Sequence, residues 1–224
     1  MSSYLELSSA KLREFEGCVN WMYRDTAGKV TVGIGLMLPT ATAAIALPFL
    51  LDSQPVPPQQ IAEEFYRVSV LAPGQPPRFY KGAVSPQLPD PFIDAKLLSV
   101  LTEFDATLRE KIAGYDKLPD GVKLTLLDMA YNLGPAGLLG GYPKMLAAIE
   151  SGAWAEAAAQ CTRQGIGEAR NAWTHQNLLS GVVDSIRAEL GIEETAEPEP
   201  PEPKPEGWFS KVMRELRKPM FPKN

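Results

Sequence analysis

The sequence predicts a mostly helical α+β fold in two lobes, a small one of a helix and a β-hairpin and a larger one of helices. Three observations carry this. Lys29-Val30-Thr31-Val32-Gly33-Ile34-Gly35 alternates strictly, the mark of a strand. From Asp90 onward the pattern is helical almost without interruption. The 224 residues are 45% hydrophobic, enough apolar material for one large domain or two small lobes. No apolar run approaches the ~18 residues of a membrane span, and the longest, at 41–51, is broken by Pro48.

Taken in order, the first helix carries Leu12 and Phe15, with Ser8 or Ser9 as its cap and Gly17 as its stop. A loop holding Trp21 and Tyr23 leads to a hairpin whose turn is Asp25-Thr26-Ala27-Gly28. Its strand places Val30, Val32 and Ile34 on one face and Lys29, Thr31, Gly33 and Gly35 on the other. Residues 39–90 are rich in proline, with one clear helical stretch at about 59–70, and read as an insertion. Helices are expected at about 91–112, 119–133, 142–150, 153–162 and 167–190, punctuated by Gly134, Gly140 and Gly141, with Asp120 as a start signal. Trp154 is expected in the core, and Cys18 and Cys161 as buried bystanders.

These elements make a folded body of 1–191. Residues 192–206 hold six glutamates, one lysine and five prolines, an extended and self-repelling spacer. Residues 207–224 form a basic amphipathic tail, with Trp208, Phe209, Val212, Met213 and Leu216 on one helical face. An isolated helix of that length is marginal in water, so the tail needs a surface: its own body, a membrane or a carrier protein. Met1-Ser2-Ser3-Tyr4-Leu5-Glu6 has neither a basic patch nor an apolar stretch. No signal peptide is expected, and synthesis is expected in the cytoplasm.

Composition then narrows the chemistry. Two cysteines are too few for a disulfide framework, and one histidine, His175, rules out a multi-histidine metal site. A net charge of −5 argues against a large nucleic-acid footprint. No metal or cofactor is expected. Carboxylates remain.

Two of them stand in contrasting settings. Glu16 closes the first helix, where the helix end disfavours an ionised carboxylate, and Leu12 and Phe15 would desolvate it further. Asp25, nine residues on, enters the turn and would stay ionised in wetter surroundings. Thr31 follows six residues later, on a strand face whose two glycines would let a bulky ligand approach the backbone. Paired carboxylates of unlike environment are what glycoside hydrolysis requires.

Phe15-Glu16-Gly17, followed by Tyr23-Arg24-Asp25-Thr26-Ala27-Gly28-Lys29-Val30-Thr31-Val32-Gly33-Ile34-Gly35, resembles the catalytic segment of the phage-type lysozymes, glycoside hydrolase family 24. Leu126-Leu127-Asp128-Met129-Ala130-Tyr131-Asn132-Leu133-Gly134 resembles a block of that family's helical lobe. So do the segments at 152–158 and 166–171. The resemblance covers most of 8–38 and 90–190. It implies a lysozyme-like fold and a muramidase that cleaves the bond between N-acetylmuramic acid and N-acetylglucosamine in peptidoglycan. Glu16 would be the general acid, and Asp25 and Thr31 would hold or deprotonate the attacking water. An inverting reaction calls for a carboxylate gap of roughly 6.5–9.5 Å. Arg170 would face Glu16 and oppose the helix-end effect. Gly33, Gly35, Tyr131 and Asn132 would line the saccharide cleft.

Three features depart from the family pattern. Leu36 stands where many relatives carry histidine. The body, with 16 basic and 20 acidic groups over 1–191, lacks the positive charge that helps many phage lysozymes hold anionic wall. The insertion at 39–90 would lie beside the cleft. An acidic body and a tethered tail suit a lysozyme carried by a phage tail or a contractile injection machine, with an immunity protein as a further partner. The alternatives are a free endolysin released through a holin and a catalytically silent wall-binding component. Each route leads to the periplasmic cell wall.

Overall fold

The computed structural model describes residues 3–190. The chain divides into two units, Met1–Ile186 and Arg187–Asn224. The spacer at 192–206 and the tail at 207–224, with Trp208, Phe209, Val212, Met213 and Leu216, lie outside the described residues. The first unit is α+β and mostly helical, as the patterning predicts. Among the described residues no helix is long and apolar enough to cross a membrane.

Helix α1 spans Ser3–Glu16 and packs against α4 (Asp90–Lys111) and α5 (Asp120–Gly141). It begins earlier than the serine caps predict. Ser8 lies in its interior and is 1% exposed, because Tyr4 and Leu5 extend the buried face of Leu12 by two turns. Gly17 ends the helix with φ of +71°, its amide bonded to the Arg13 carbonyl.

The segment expected as a loop around Trp21 and Tyr23 is a strand, β1 (Val19–Arg24). Its β-branched and aromatic residues pair antiparallel with β2 (Val30–Gly33), Tyr23 opposite Thr31 and Arg24 opposite Val30, after a bulge. β3 (Leu36–Met37) completes a three-stranded sheet in the order β1-β2-β3. The tight turn from β2 to β3 needs Gly33 and Gly35 at φ of +66° and +71°, conformations that cost side-chain-bearing residues strain. Every residue of β2 is buried, so its glycine-bearing face is covered by protein: a Cβ at Gly33 would sit 3.2 Å from Ile93 of α4.

The insertion is built of short pieces: α2 (Ala41–Ile45), β4 (Leu50–Leu51) paired with β5 (Gln54–Pro55), α3 (Pro58–Ser69) and a 3-10 turn at Pro77–Phe79. Thr40 caps α2 by accepting from the Ala43 amide at 3.2 Å. Buried Glu64 accepts from Arg67 at 2.6 Å and from Ser85 at 2.6 Å, tying α3 to the end of the segment. Leu88 and Asn20 exchange hydrogen bonds at 2.8 and 2.9 Å, which fastens that end to β1.

The remaining helices fall close to their expected bounds. α5 is the central one, with every residue from Val122 to Ala130 buried. Gly134, at φ 73° and ψ 153°, leaves helical geometry where the stop was expected and kinks α5. Pro135 then opens a second helical segment, because proline is tolerated in a first turn. α6 (Pro143–Glu150) packs on α7 (Trp154–Ala159), and α8 spans Glu168–Leu190. Trp154 is only partly buried, and its indole N–H donates to Ser185 at 2.8 Å. Gly181 leaves room for its ring, since a Cβ there would meet Trp154 at 2.8 Å. Cys161 is buried, Cys18 is half-buried, and both are free thiols. His175 is exposed on α8.

Candidate active site

Glu16 is the last residue of α1, and its side chain is 32% exposed. Leu12 turns into the core, and Phe15 meets Trp173 edge-on at 5.5 Å, so neither walls Glu16 into an apolar pocket. Its partner is Arg170, which donates from Nη1 to Oε1 at 2.6 Å. The Arg170 guanidinium lies over the Phe15 ring at 5.3 Å and is itself buried. Its proton is held above the ordinary arginine range: burial alone would loosen it, and hydrogen bonding to Asp128 and then to Glu16 outweighs burial.

Asp25 sits where β1 ends. Its Oδ1 accepts the Lys29 amide at 2.7 Å, and the Gly28 amide bonds its carbonyl at 3.0 Å, closing the expected turn. Buried Thr31 points its hydroxyl at Asp25 Oδ2 from 3.5 Å and at the Lys29 carbonyl from 3.3 Å. Both contacts are long, so the hydroxyl is weakly committed and free to re-aim. Tyr23 of β1 feels the charge of both carboxylates. Burial first, then the charges of Asp25 and Glu16, push its phenol up.

Tyr131 reaches across from α5 and donates its hydroxyl to the Ile34 carbonyl in the turn from β2 to β3. Burial, then the Glu16 charge, push this phenol up to about 12, against the opposing pull of Arg170. It therefore stays protonated and remains a donor at neutral pH. A cavity of about 250 Å³ opens beside it, lined by Gly33, Gly35, Met37, Phe92 and Lys96 among others. Leu36 lines it too. Asn132 is exposed on α5 and does not line this cavity. Among the described residues no group of three or more His, Cys, Asp or Glu side chains could hold a metal ion.

Two features of the site escape the sequence reading. One is the pair Asp128 and Arg163, buried behind Arg170 and bonded to each other at 2.5 Å. A lone aspartate in Leu124-Thr125-Leu126-Leu127-Asp128-Met129-Ala130 was its signal, since a charge in a buried run must be paired. The other is the grip of the insertion on the Asp25 turn. Gly74 donates its amide to the Asp25 carbonyl at 3.1 Å, and Arg24 donates to the Leu71 and Gly28 carbonyls. No local pattern announces that contact. No protein-family model matches this chain, and no curated protein sequence matches it.

Proposed function

We propose that this chain has a lysozyme-like fold and is a peptidoglycan hydrolase, an N-acetylmuramidase that cleaves between N-acetylmuramic acid and N-acetylglucosamine. The observation behind this reading is the Thr31 hydroxyl turned to Asp25 at 3.5 Å, with Glu16 held by Arg170 at the end of α1 and both carboxylates acting on the Tyr23 phenol. Their settings differ: Glu16 faces a guanidinium, whereas Asp25 faces an amide and a hydroxyl.

In the reaction Glu16 gives its proton to the glycosidic oxygen as the bond from that oxygen to the muramic acid C1 breaks. A water held by Asp25 and Thr31 bonds C1 from the opposite face, and Asp25 takes the water's proton. The products are a reducing N-acetylmuramic acid end and a free hydroxyl on N-acetylglucosamine. Arg170 stabilises the Glu16 carboxylate that the step leaves behind. In this reading the cavity beside Tyr131, which none of Glu16, Asp25 and Thr31 lines, receives a neighbouring part of the glycan. With a body of 16 basic and 20 acidic groups over 1–191, attraction to the anionic wall is weak, so the reading includes delivery by a carrier.

Mass spectrometry of fragments released from purified peptidoglycan tests this. Wild type should release fragments with reducing N-acetylmuramic acid ends, and Glu16→Gln should release none. Intact glycan from a folded wild-type protein overturns the proposal.

A further inference from the structure

Four charged side chains form one continuous line behind the candidate site: Arg163, Asp128, Arg170 and Glu16. Asp128 is 1% exposed and is shared. Its Oδ2 accepts from Arg163 Nη2 at 2.5 Å, and its Oδ1 accepts from Arg170 Nε at 2.9 Å. Arg170 carries the line on to Glu16 through Nη1. Thr174, fully buried, accepts from Arg163 Nη2 at 2.8 Å and donates to the Arg170 carbonyl at 2.8 Å, which fixes both arginines to α8.

The charges balance only when Glu16 is ionised, two guanidinium groups against two carboxylates. Arg163, Asp128 and Arg170 are buried and together carry one net positive charge. Glu16 is the member partly open to solvent. Other charged and titratable groups stand on the elements around it, the Cys18 thiol among them. Tyr23 of β1 and Tyr131 of α5 both feel its charge, and Asp25 acts on Tyr23. On α1, Arg13 is paired with Asp90 and Asp94, and Lys11 with Glu14.

We infer that Asp128 is a positioning residue for Glu16, acting through Arg170. It turns the guanidinium so that Nη1 meets the Glu16 carboxylate, and it cancels the charge of Arg163, so that Glu16 faces the net charge of one arginine. Its role in catalysis rests on Glu16 being the acid; the coupling of Asp128 to Glu16 does not. A residue that only filled space would leave the ionisation of Glu16 alone. A charge relay makes Asp128 and Arg163 act on it with opposite signs.

The test follows the Glu16 side-chain carboxyl carbon by NMR across pH in the full-length protein, beside the pH profile of peptidoglycan cleavage. Asp128→Asn adds one net positive charge behind Glu16, so its half-titration point should fall by about one pH unit. Arg163→Met removes one and should raise it by about as much. The double variant restores the balance and should return it to the wild-type position. The alkaline limb of the cleavage profile should move with each. If Asp128→Asn fails to fold, the upward shift in Arg163→Met decides the matter. Half-titration points that stay put in folded variants, or that move in the same direction in both single variants, overturn the inference. Variants that shift as described in a protein whose wild type cuts no glycan would instead overturn the muramidase proposal and leave the coupling standing.

Discussion

The Tyr131 hydroxyl donates to the backbone carbonyl of Ile34, joining α5 to the turn between β2 and β3 across 97 residues of sequence. The pairing holds only while the phenol is protonated, and burial together with the nearby Glu16 charge keeps it so up to about pH 12. In the unfolded chain the same phenol loses its proton near pH 10. The folded state therefore binds more protons than the unfolded state between those limits. The contribution is complete below pH 10 and disappears as pH rises through about 12. Tyr23 and Tyr115, also raised, act in the same direction. Thermal melts should show Tm falling over this window, and Tyr131→Phe should make the fall shallower. At neutral pH the same variant should lose about 1 kcal/mol for the unpaired Ile34 carbonyl. An unchanged slope in Tyr131→Phe would contradict the assignment.

Gly33 carries two constraints that can be separated. Its φ of +66° costs an alanine about 1–2 kcal/mol. A Cβ there would also press on Ile93 from 3.2 Å. Gly33→Ala should therefore lower the urea midpoint, and adding Ile93→Val should recover only part of the loss. Full recovery in the double variant would mean that backbone conformation contributes nothing.

The Asp25 turn is held by the insertion as well as by its own hairpin. Arg24 reaches both the Gly28 and Leu71 carbonyls, and Gly74 donates to the carbonyl of Asp25. Arg24→Met should loosen the turn without unfolding the chain. Hydrogen exchange at the Gly28 amide, which is bonded to the Asp25 carbonyl at 3.0 Å, should quicken by an order of magnitude. If cleavage depends on the water that Asp25 holds, kcat should fall while KM changes little. Exchange as slow as in wild type would show that the hairpin holds the turn alone.

Much of this protein is written locally. The helices at Asp90–Lys111, Pro143–Glu150 and Glu168–Leu190 lie within about two residues of the ends read from periodicity, proline and glycine. The hairpin turn at Asp25–Gly28 and the end of α1 at Glu16 were equally legible. Each depends on backbone rules spanning a few residues. What was missed in the fold shares one cause: burial decided by a distant neighbour. Ser8 lies inside a helix because α4 and α5 cover that face, and Trp21 and Tyr23 lie in a strand because β2 pairs with them.

For the candidate site the division is sharper. Residue type and spacing made Glu16, Asp25 and Thr31 candidates at a helix end, a turn and a strand, and the resemblance to the phage-type lysozymes singled them out. The resemblance also implied that Arg170 faces Glu16, 154 positions away, and the two are paired. What lies behind Arg170 was not readable: it finds Asp128 from 42 positions away. Local pattern records which residues seek burial, because apolar transfer is non-directional and additive along the chain. The partner of a charge is fixed only when tertiary packing removes water and leaves one counter-charge within reach, and that was decided by the fold.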